Sequence, residues 1–326
     1  MAGFPCLRAG LLQEPREPRG PREPAGPGTD LPDGVFYSDY LFWNPEAEGA
    51  AAWEVGSTQV HLGNGAGACS QGANAIAIGV NAGSVFQTQD AVAIGNEAGR
   101  YFQKTLAVAV GWQAGQTGQD AFAVAVGSNA GQTTQGLGAV AVGNAAGGFG
   151  QRPGAVALGG AAGATNQGIA AVAVGPNAAQ NSQGGSAVAV GSEAGFVNQG
   201  DFAVAVGPNA GQNTQGNSAI AIGAGAAIIS QPPFSVCVGP NSSVQGVTGA
   251  VVVGRNIELT AGVGVTFGAV VLNGSNDSLV IPALSVASGI TAGFWVAPVR
   301  GITAGQAAGF LSVVYNPTTK EFAYNI

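Results

Sequence analysis

The sequence has few charged residues, few aromatic residues and almost no histidine. Of its 326 residues, 8% are charged, 7% are aromatic and one, His61, is a histidine. Average proteins carry about 25% charged residues. Enzyme sites need acids, bases or nucleophiles gathered in a cleft, so this composition argues against an enzyme. We expect no catalytic residue and no cofactor, and we predict that His61 is an ordinary strand residue.

Charged residues and cysteines are also too few to indicate a nucleic-acid partner, a disulfide framework or a metal site. The formal net charge is −7, and no basic patch is present that could neutralise phosphates, so nucleic acid is not an expected partner. No apolar run approaches the ~20 residues that span a bilayer. The three cysteines, Cys6, Cys69 and Cys237, are far apart, and their spacing matches neither a disulfide framework nor a metal site.

Glycine, by contrast, is abundant and strictly periodic. The chain contains 56 glycines, and a set of twelve recurs at every sixteenth position: Gly63, Gly79, Gly95, Gly111, Gly127, Gly143, Gly159, Gly175, Gly191, Gly207, Gly223 and Gly239. Glutamine recurs with the same interval: Gln71, Gln87, Gln103, Gln119, Gln135, Gln151, Gln167, Gln183, Gln199, Gln215 and Gln231. Such a fixed period indicates a repeat architecture in which each unit packs on the next.

A four-residue block precedes each periodic glycine, as in Ala91-Val92-Ala93-Ile94. Alternation with a period of two predicts a β-strand with Ala on one face and Val or Ile on the other. Both faces are apolar, so we expect both to be covered. We expect the Ala and Gly of the polar half-repeat to face the Val/Ile column, and another chain to cover the Ala face. The glycine is expected where a Cβ would hinder a close approach.

The repeat therefore predicts an all-β fold, a parallel β-solenoid or β-roll in which each period of sixteen forms one coil of two short strands and two turns. At a strand spacing of ~4.8 Å, twelve coils would form a rod about 55–60 Å long. The stacked glutamines are expected to form a ladder of amide hydrogen bonds. The alternative is an exposed row of glutamines that binds sugar. The uncovered apolar columns predict association of several chains.

The block Ala75-Ile76-Ala77-Ile78-Gly79, followed by Ala82-Gly83, resembles the head repeats of trimeric autotransporter adhesins. The likeness covers roughly residues 60–254. Heads of that family are left-handed parallel β-rolls packed three around an axis, although their repeat is typically shorter than the one in this chain. The resemblance implies a homotrimer.

The chain ends differ from the repeat and complete a four-part organisation. Residues 1–33 are rich in Pro and Gly, which favours a flexible arm or tether over a collagen-like triple helix. Residues 34–62 predict an aromatic β-hairpin cap, residues 63–254 the solenoid, and residues 255–326 a C-terminal β cap or trimerisation region. Asn316-Pro317 predicts a turn between two strands of that last region.

Both ends resemble viral fibre proteins. Asp39-Tyr40-Leu41-Phe42-Trp43 is similar to hairpins near the start of viral and phage fibres. The passages from Gly293 to Arg300 and from Tyr315 to Glu321 resemble the C-terminal part of fibre-like proteins from giant DNA viruses and tailed phages. These resemblances imply a structural fibre or surface appendage, on a virion surface or otherwise extracellular, that self-associates and could extend end to end into filaments.

Three other functions remain open at this stage. An adhesin or receptor-binding module would contact host glycans or proteins through aromatic residues on turns, and Trp112, Phe102 and Phe196 are the candidate contacts. An ice-binding solenoid would need a regular Thr column, and Thr is scattered here. A solenoid enzyme would need paired carboxylates, but the acidic residues of the repeats lie in different coils and form no column: Asp90, Glu97, Asp120, Glu193 and Asp201.

Overall fold

The structure, a computed structural model, describes residues 40–44, 52–246 and 248–259, and three further strands at 265–267, 313–316 and 321–324. The predicted arm, residues 1–33, lies outside the described residues, as does most of the predicted C-terminal region. The chain divides into two units, Met1–Val270 and Val271–Ile326, and each is described by itself.

The first unit is a parallel β-solenoid with two long sheets, as the repeat predicts. The first sheet has 14 strands in stacking order: β3 (Val60–Leu62), β4 (Ile76–Ile78), β6 (Val92–Ile94), β8 (Val108–Val110), β10 (Val124–Val126), β12 (Val140–Val142), β14 (Val156–Leu158), β16 (Val172–Val174), β18 (Val188–Val190), β20 (Val204–Val206), β22 (Ile220–Ile222), β24 (Val236–Val238), β26 (Val251–Val253) and β28 (Val265–Phe267).

The second sheet is formed by the polar half of each repeat and has 10 strands. These strands are β5 (Val85–Gln87), β7 (Tyr101–Gln103), β9 (Thr117–Gln119), β11 (Thr133–Gln135), β13 (Phe149–Gln151), β15 (Thr165–Gln167), β17 (Asn181–Gln183), β19 (Val197–Gln199), β21 (Asn213–Gln215) and β23 (Ile229–Gln231). A two-stranded parallel sheet of β25 (Ser243–Val244) and β27 (Glu258–Leu259) follows.

The coils stack in register, so that each residue lies over its equivalent. Ala125 pairs with Ala109 on one side and with Ala141 on the other. In the second sheet Gln135 pairs with Gln119 and Gln151. The pairing is parallel throughout both sheets, which confirms the predicted coil with two strands and two turns.

The alanines, not the valines and isoleucines, face the interior, which corrects our expectation for the two faces of the first sheet. Ala93, Ala109 and their equivalents are fully buried in one continuous cluster with the alanines that follow the periodic glycines, such as Ala98. The Val and Ile side chains on the opposite face stay partly accessible. The sequence alternation could not decide this, because both faces are apolar.

The periodic glycine is required by a close contact between coils. Gly111 has φ of 129°, and a Cβ added there would lie 2.6 Å from the carbonyl oxygen of Gly127 in the next coil. No side chain can occupy that space without moving the backbone of the neighbouring coil. A second glycine follows within the same turn, as Gly115, but two coils carry alanine in that position, Ala179 and Ala227.

Several residues that are not glycine, in the turns and in the middle of the second-sheet strands, adopt left-handed backbone conformations, which the sequence did not predict. In one coil these are Glu193, Asn198 and Phe202, with φ of 55°, 53° and 58°. Their equivalents in the other coils have similar angles. Asparagine and glycine tolerate this conformation, whereas a bulky residue such as Phe pays an energetic penalty.

The regular coil ends where its length changes. The pairing of Val236 with Val251 makes one coil a single residue shorter than the regular repeat, and the pairing of Val251 with Val265 makes the next coil shorter again. In this part the interior contains Val244 and Val252, both fully buried; Val252 pairs in register with Cys237, and the glutamine column has already ended at Gln231. A shorter coil thus replaces the polar interior with larger apolar side chains.

A short antiparallel hairpin precedes the solenoid. Its strands are β1 (Leu41–Asn44) and β2 (Ala52–Val55). The Tyr40 hydroxyl donates a hydrogen bond to the Gln59 carbonyl at 2.8 Å and accepts one from the His61 N–H at 3.1 Å. The Phe42 ring lies edge-on to the His61 ring, with centroids 4.2 Å apart. His61 is a residue of strand β3, as predicted.

The second unit contains one described hairpin, formed by β29 (Val313–Asn316) and β30 (Glu321–Tyr324). The strands are antiparallel, and Asn316 pairs with Glu321. The residues between them, where a turn was predicted, lie outside the described residues.

The two glycine positions provide a matched test of the close contact. We expect Gly111→Ala to lower stability by about 2 kcal/mol or more, because it adds both backbone strain and a clash. Gly115→Ala is expected to cost less, because other coils already accommodate alanine there. The thermal unfolding midpoint measures both. Equal midpoints for the two variants would contradict the assigned role of the periodic glycine.

Candidate functional site

The interior of the solenoid contains a continuous column of hydrogen-bonded glutamine side chains. From Gln87 to Gln215 each Nε2 donates to the Oε1 of the glutamine in the next coil, at 3.0–3.2 Å, so the column ends at Gln231. Gln71, the first glutamine of the predicted ladder, donates to the Val60 and Ala75 carbonyls and makes no bond to Gln87. Each Nε2 of the column also donates to two backbone carbonyls. For Gln103 these are Val92, at 2.8 Å in the first sheet, and Ala107, at 3.2 Å. Each glutamine therefore connects the second sheet to the first and one coil to the next.

Burial decides between the two interpretations of these glutamines. Gln87, Gln103, Gln119 and Gln167 are fully buried, and the other members of the column are no more than 3% exposed. Buried amides are normally hydrogen-bonded, and from Gln103 to Gln215 each Oε1 accepts and each Nε2 donates within the column, whereas the Oε1 of Gln87, at its first end, has no partner. A sugar could not reach the column, so the alternative of an exposed glutamine row is wrong.

The outer face of the first sheet is an uninterrupted aliphatic surface, which we call the outward strip. It consists of the first and third residues of strands β3 to β26, and every one of them is Val, Ile or Leu. Several are more than a third exposed, including Ile94 and Val142 at 37% and Leu62 at 48%. The first residues of the second-sheet strands form no such continuous surface, because five of the ten are Thr or Asn, as at Thr117, Thr133 and Asn181, and the others are aliphatic or aromatic.

The three aromatic residues predicted as adhesin contacts do not form one site. Trp112 and Phe102 are about half exposed, but Trp112 lies in the turn after β8 and Phe102 lies within β7. Phe196 is half-buried in a turn five coils beyond Trp112, a distance of roughly 24 Å along the stack. Phe102 instead stacks on Phe86 of the adjacent coil, with centroids 5.6 Å apart.

The acidic side chains of the repeats are held by their neighbours. The Asp120 carboxylate lies 3.0 Å from the Lys104 ammonium, and its pKa is lowered, first by the hydrogen bond from the Ala121 N–H and then by Lys104, against an opposing effect of burial. Glu97 accepts hydrogen bonds from Arg100, Gln113 and Gln116. These carboxylates therefore link turns of neighbouring coils.

Cys237 occupies an interior position that is alanine in the preceding coils, and it pairs in register with Ala221. Burial raises the pKa of its thiol to about 11, so the thiolate is scarce at neutral pH and the group is unreactive.

Within the described ranges, no cluster of three or more His, Cys, Asp or Glu side chains has the arrangement of a metal site. The same part of the chain has no helix that is long and apolar enough to cross a membrane.

No protein-family model matches the sequence, and no curated protein is significantly similar to it.

The glutamine column can be tested with an isosteric change. Gln135→Met keeps the volume of the side chain but removes its hydrogen bonds to Gln119, Gln151 and the Val124 carbonyl. Leaving buried polar groups unpaired costs roughly 1–3 kcal/mol per group, so we expect a clear loss of stability in thermal or denaturant unfolding. Gln89→Met, at an exposed turn position, is the control and should change stability by less than about 0.5 kcal/mol. Equal stability of the two variants would refute the structural role.

Proposed function

We propose that this protein is a structural fibre subunit, a stiff β-solenoid rod that assembles as a homotrimer with the three outward strips packed along a common axis. The observation that carries the proposal is the outward strip. Exposed aliphatic surface is unfavourable in water, and soluble monomers rarely expose a contiguous patch larger than a few hundred Å². This one follows thirteen stacked strands, or about 60 Å at the spacing of β-strands.

A second copy of the same chain is the occupant that fits the strip best. The outward strip repeats at every coil. A complementary surface therefore needs the same distance between its repeats, over the same total length as the strip. Another copy of the chain has that distance and that length. The strip contains no charged residue from Val60 to Val253, which argues against a partner held by ion pairs. Association around a rotation axis keeps all rods parallel and closes the assembly. We infer three chains in the assembly because the repeats resemble the heads of trimeric adhesins.

Stiffness follows from the contacts between coils. Backbone hydrogen bonds join every coil to the next in both sheets, and the glutamine column adds a third line of bonds between them. In such a stack each repeat contacts only its neighbours, and stability accumulates along the axis. Bending the rod would stretch the hydrogen bonds of both sheets and of the glutamine column together. The rod should therefore resist bending, as a spacer or stalk must.

The hairpin before the solenoid would act as a cap of the rod. Tyr40 and Phe42 contact His61 in the first strand of the first sheet. Bare sheet edges invite uncontrolled pairing with other chains, so a cover at this end would confine association to the outward strip. On the viral resemblance of both ends, we place the fibre on a virion surface or otherwise outside the cell, with the arm at residues 1–33 as its tether.

Charged substitutions in the strip test the assembly. Native protein should have three times the chain mass in light scattering or sedimentation. Val140→Lys combined with Val142→Lys should give monomers with an unchanged β-sheet circular dichroism spectrum, because buried like charges repel. Thr133→Lys, on the outer face of the second sheet, should leave the trimer intact. A monomeric native protein would overturn the homotrimer.

Cross-linking tests the same interface without introducing charge into the outward strip. In a parallel trimer, equivalent residues of the strip lie at the same height around the axis. Val142→Cys should therefore cross-link between chains with a short bis-maleimide, whereas Thr133→Cys should not. Cross-linking of the second variant alone would place the interface on the other sheet.

A further inference from the structure

The hairpin before the solenoid has one face packed on the first coil and one face that is exposed. Phe42 lies on the packed face, where its ring meets the His61 ring edge-on. Leu41 and Trp43 alternate with Phe42 and therefore point to the other side, together with Trp53, which pairs with Trp43 across the hairpin. Leu41, Trp43 and Trp53 are 38%, 46% and 48% exposed. We call these three side chains the tryptophan face.

The two indole rings of this face form an open edge-to-face pair. Their centroids are 5.6 Å apart and their planes make an angle of 70°, and each side chain keeps nearly half of its surface accessible. A two-stranded hairpin is marginally stable in water unless its apolar faces are packed. A segment that covered the indoles would therefore also stabilise the hairpin. Flat or cationic groups, such as proline rings and guanidinium groups, pack well on aromatic surfaces.

The arm at residues 1–33 contains a segment with this chemistry. Proline recurs in it at every third position: Pro15, Pro18, Pro21, Pro24 and Pro27. An arginine follows each of the first three prolines: Arg16, Arg19 and Arg22. The composition favours a polyproline II helix, which has three residues per turn. In such a helix the prolines would share one ridge, and the arginines would share the adjacent ridge.

We propose that residues 15–27 dock on the tryptophan face of the same chain, with the proline and arginine ridges against the indole rings. Proline-rich segments bind aromatic surfaces in this way because their helix is extended beforehand and loses little conformational entropy on binding. A guanidinium group over an indole ring adds about 0.5–2 kcal/mol of attraction. The third ridge, which includes Glu17 and Glu23, would face the solvent.

The chain itself brings the segment to the hairpin. Residues 28–39 connect the segment to Tyr40, and an extended chain of that length can reach about 40 Å. A short connection gives an effective concentration that is roughly millimolar, so even a weak contact would be occupied. Residues 1–14 would remain available as the tether. The contact lies within one chain, so the inference does not depend on the trimer.

The aromatic patch on the second sheet is a less suitable place for the segment. Phe102 stacks on Phe86, with centroids 5.6 Å apart and an angle of 10° between the rings. The guanidinium group of Arg100 lies 4.8 Å from the centroid of the Tyr101 ring. The solenoid therefore already supplies the cation that the arm would bring. The tryptophan face is also closer to the arm along the chain.

Tryptophan fluorescence of the full-length chain can test the docking. The chain has four tryptophans, and Trp112→Phe combined with Trp295→Phe leaves the two of the tryptophan face. The wavelength of their emission and its quenching by acrylamide then report how far water and solutes reach this face. This double variant is the parent for the comparisons that follow.

Removal of the central prolines should uncover the indole rings. In the parent, Pro18→Ala, Pro21→Ala and Pro24→Ala together should shift the emission to longer wavelength and strengthen the quenching, because the segment is released. Pro5→Ala with Pro32→Ala is the matched control, since these prolines belong to the arm but lie outside the spacing of three. The control should change neither the emission nor the quenching. The β-sheet circular dichroism spectrum should be the same in all three proteins.

Three results would overturn the proposal. Identical emission and quenching in the parent and the triple variant would show that the arm does not cover the face. Equal shifts in the triple variant and the control would remove the role of the spacing of three. A shift when the parent is diluted, with none in the triple variant, would assign the face to a second copy of the chain. None of these results decides the proposed trimer, which has its own mass and cross-linking tests.

Discussion

The buried glutamine column is the interaction on which the rest of the structure depends. Each Nε2 reaches a backbone carbonyl in the first sheet and the amide oxygen of the next coil. A shift of one residue would turn every side chain of a strand to its opposite face and would leave these amides without partners. The column therefore holds the coils in one register. The contact of each periodic glycine with the carbonyl of the next coil requires the same register.

The narrow interior explains why an apolar surface remains on the outside. Between the two sheets there is room for alanine from one strand and glutamine from the other, and these are the residues that are fully buried. Valine and isoleucine of the first sheet point away from that space, and stacking in register aligns them into one strip. Where the coil shortens, the interior accepts Val244 and Val252, and the glutamine column ends at Gln231. Coil length and interior composition change together.

Chemical variety along the solenoid lies in the turns and on the outer positions of the second sheet. Interior and strip positions repeat almost without change, whereas turn residues vary from glycine to phenylalanine at equivalent places. A regular scaffold of this kind can present different side chains at fixed spacings without altering its fold. The regular coil is thus set by repetition, and the variable part of the surface by departures from it.

The sequence by itself determined the coil length, the parallel stacking, the two strands of each coil and the need for glycine before each turn. These features follow from strict periodicity, because equivalent residues one period apart must meet when identical units stack. Only the tertiary structure decided which face of the first sheet is inside. Alternation of Ala93 with Val92 and Ile94 shows two apolar faces and gives no preference between them. The burial of the glutamines and the left-handed backbone conformations also depend on which residues of different coils come together, and a pattern along one strand contains no information about that.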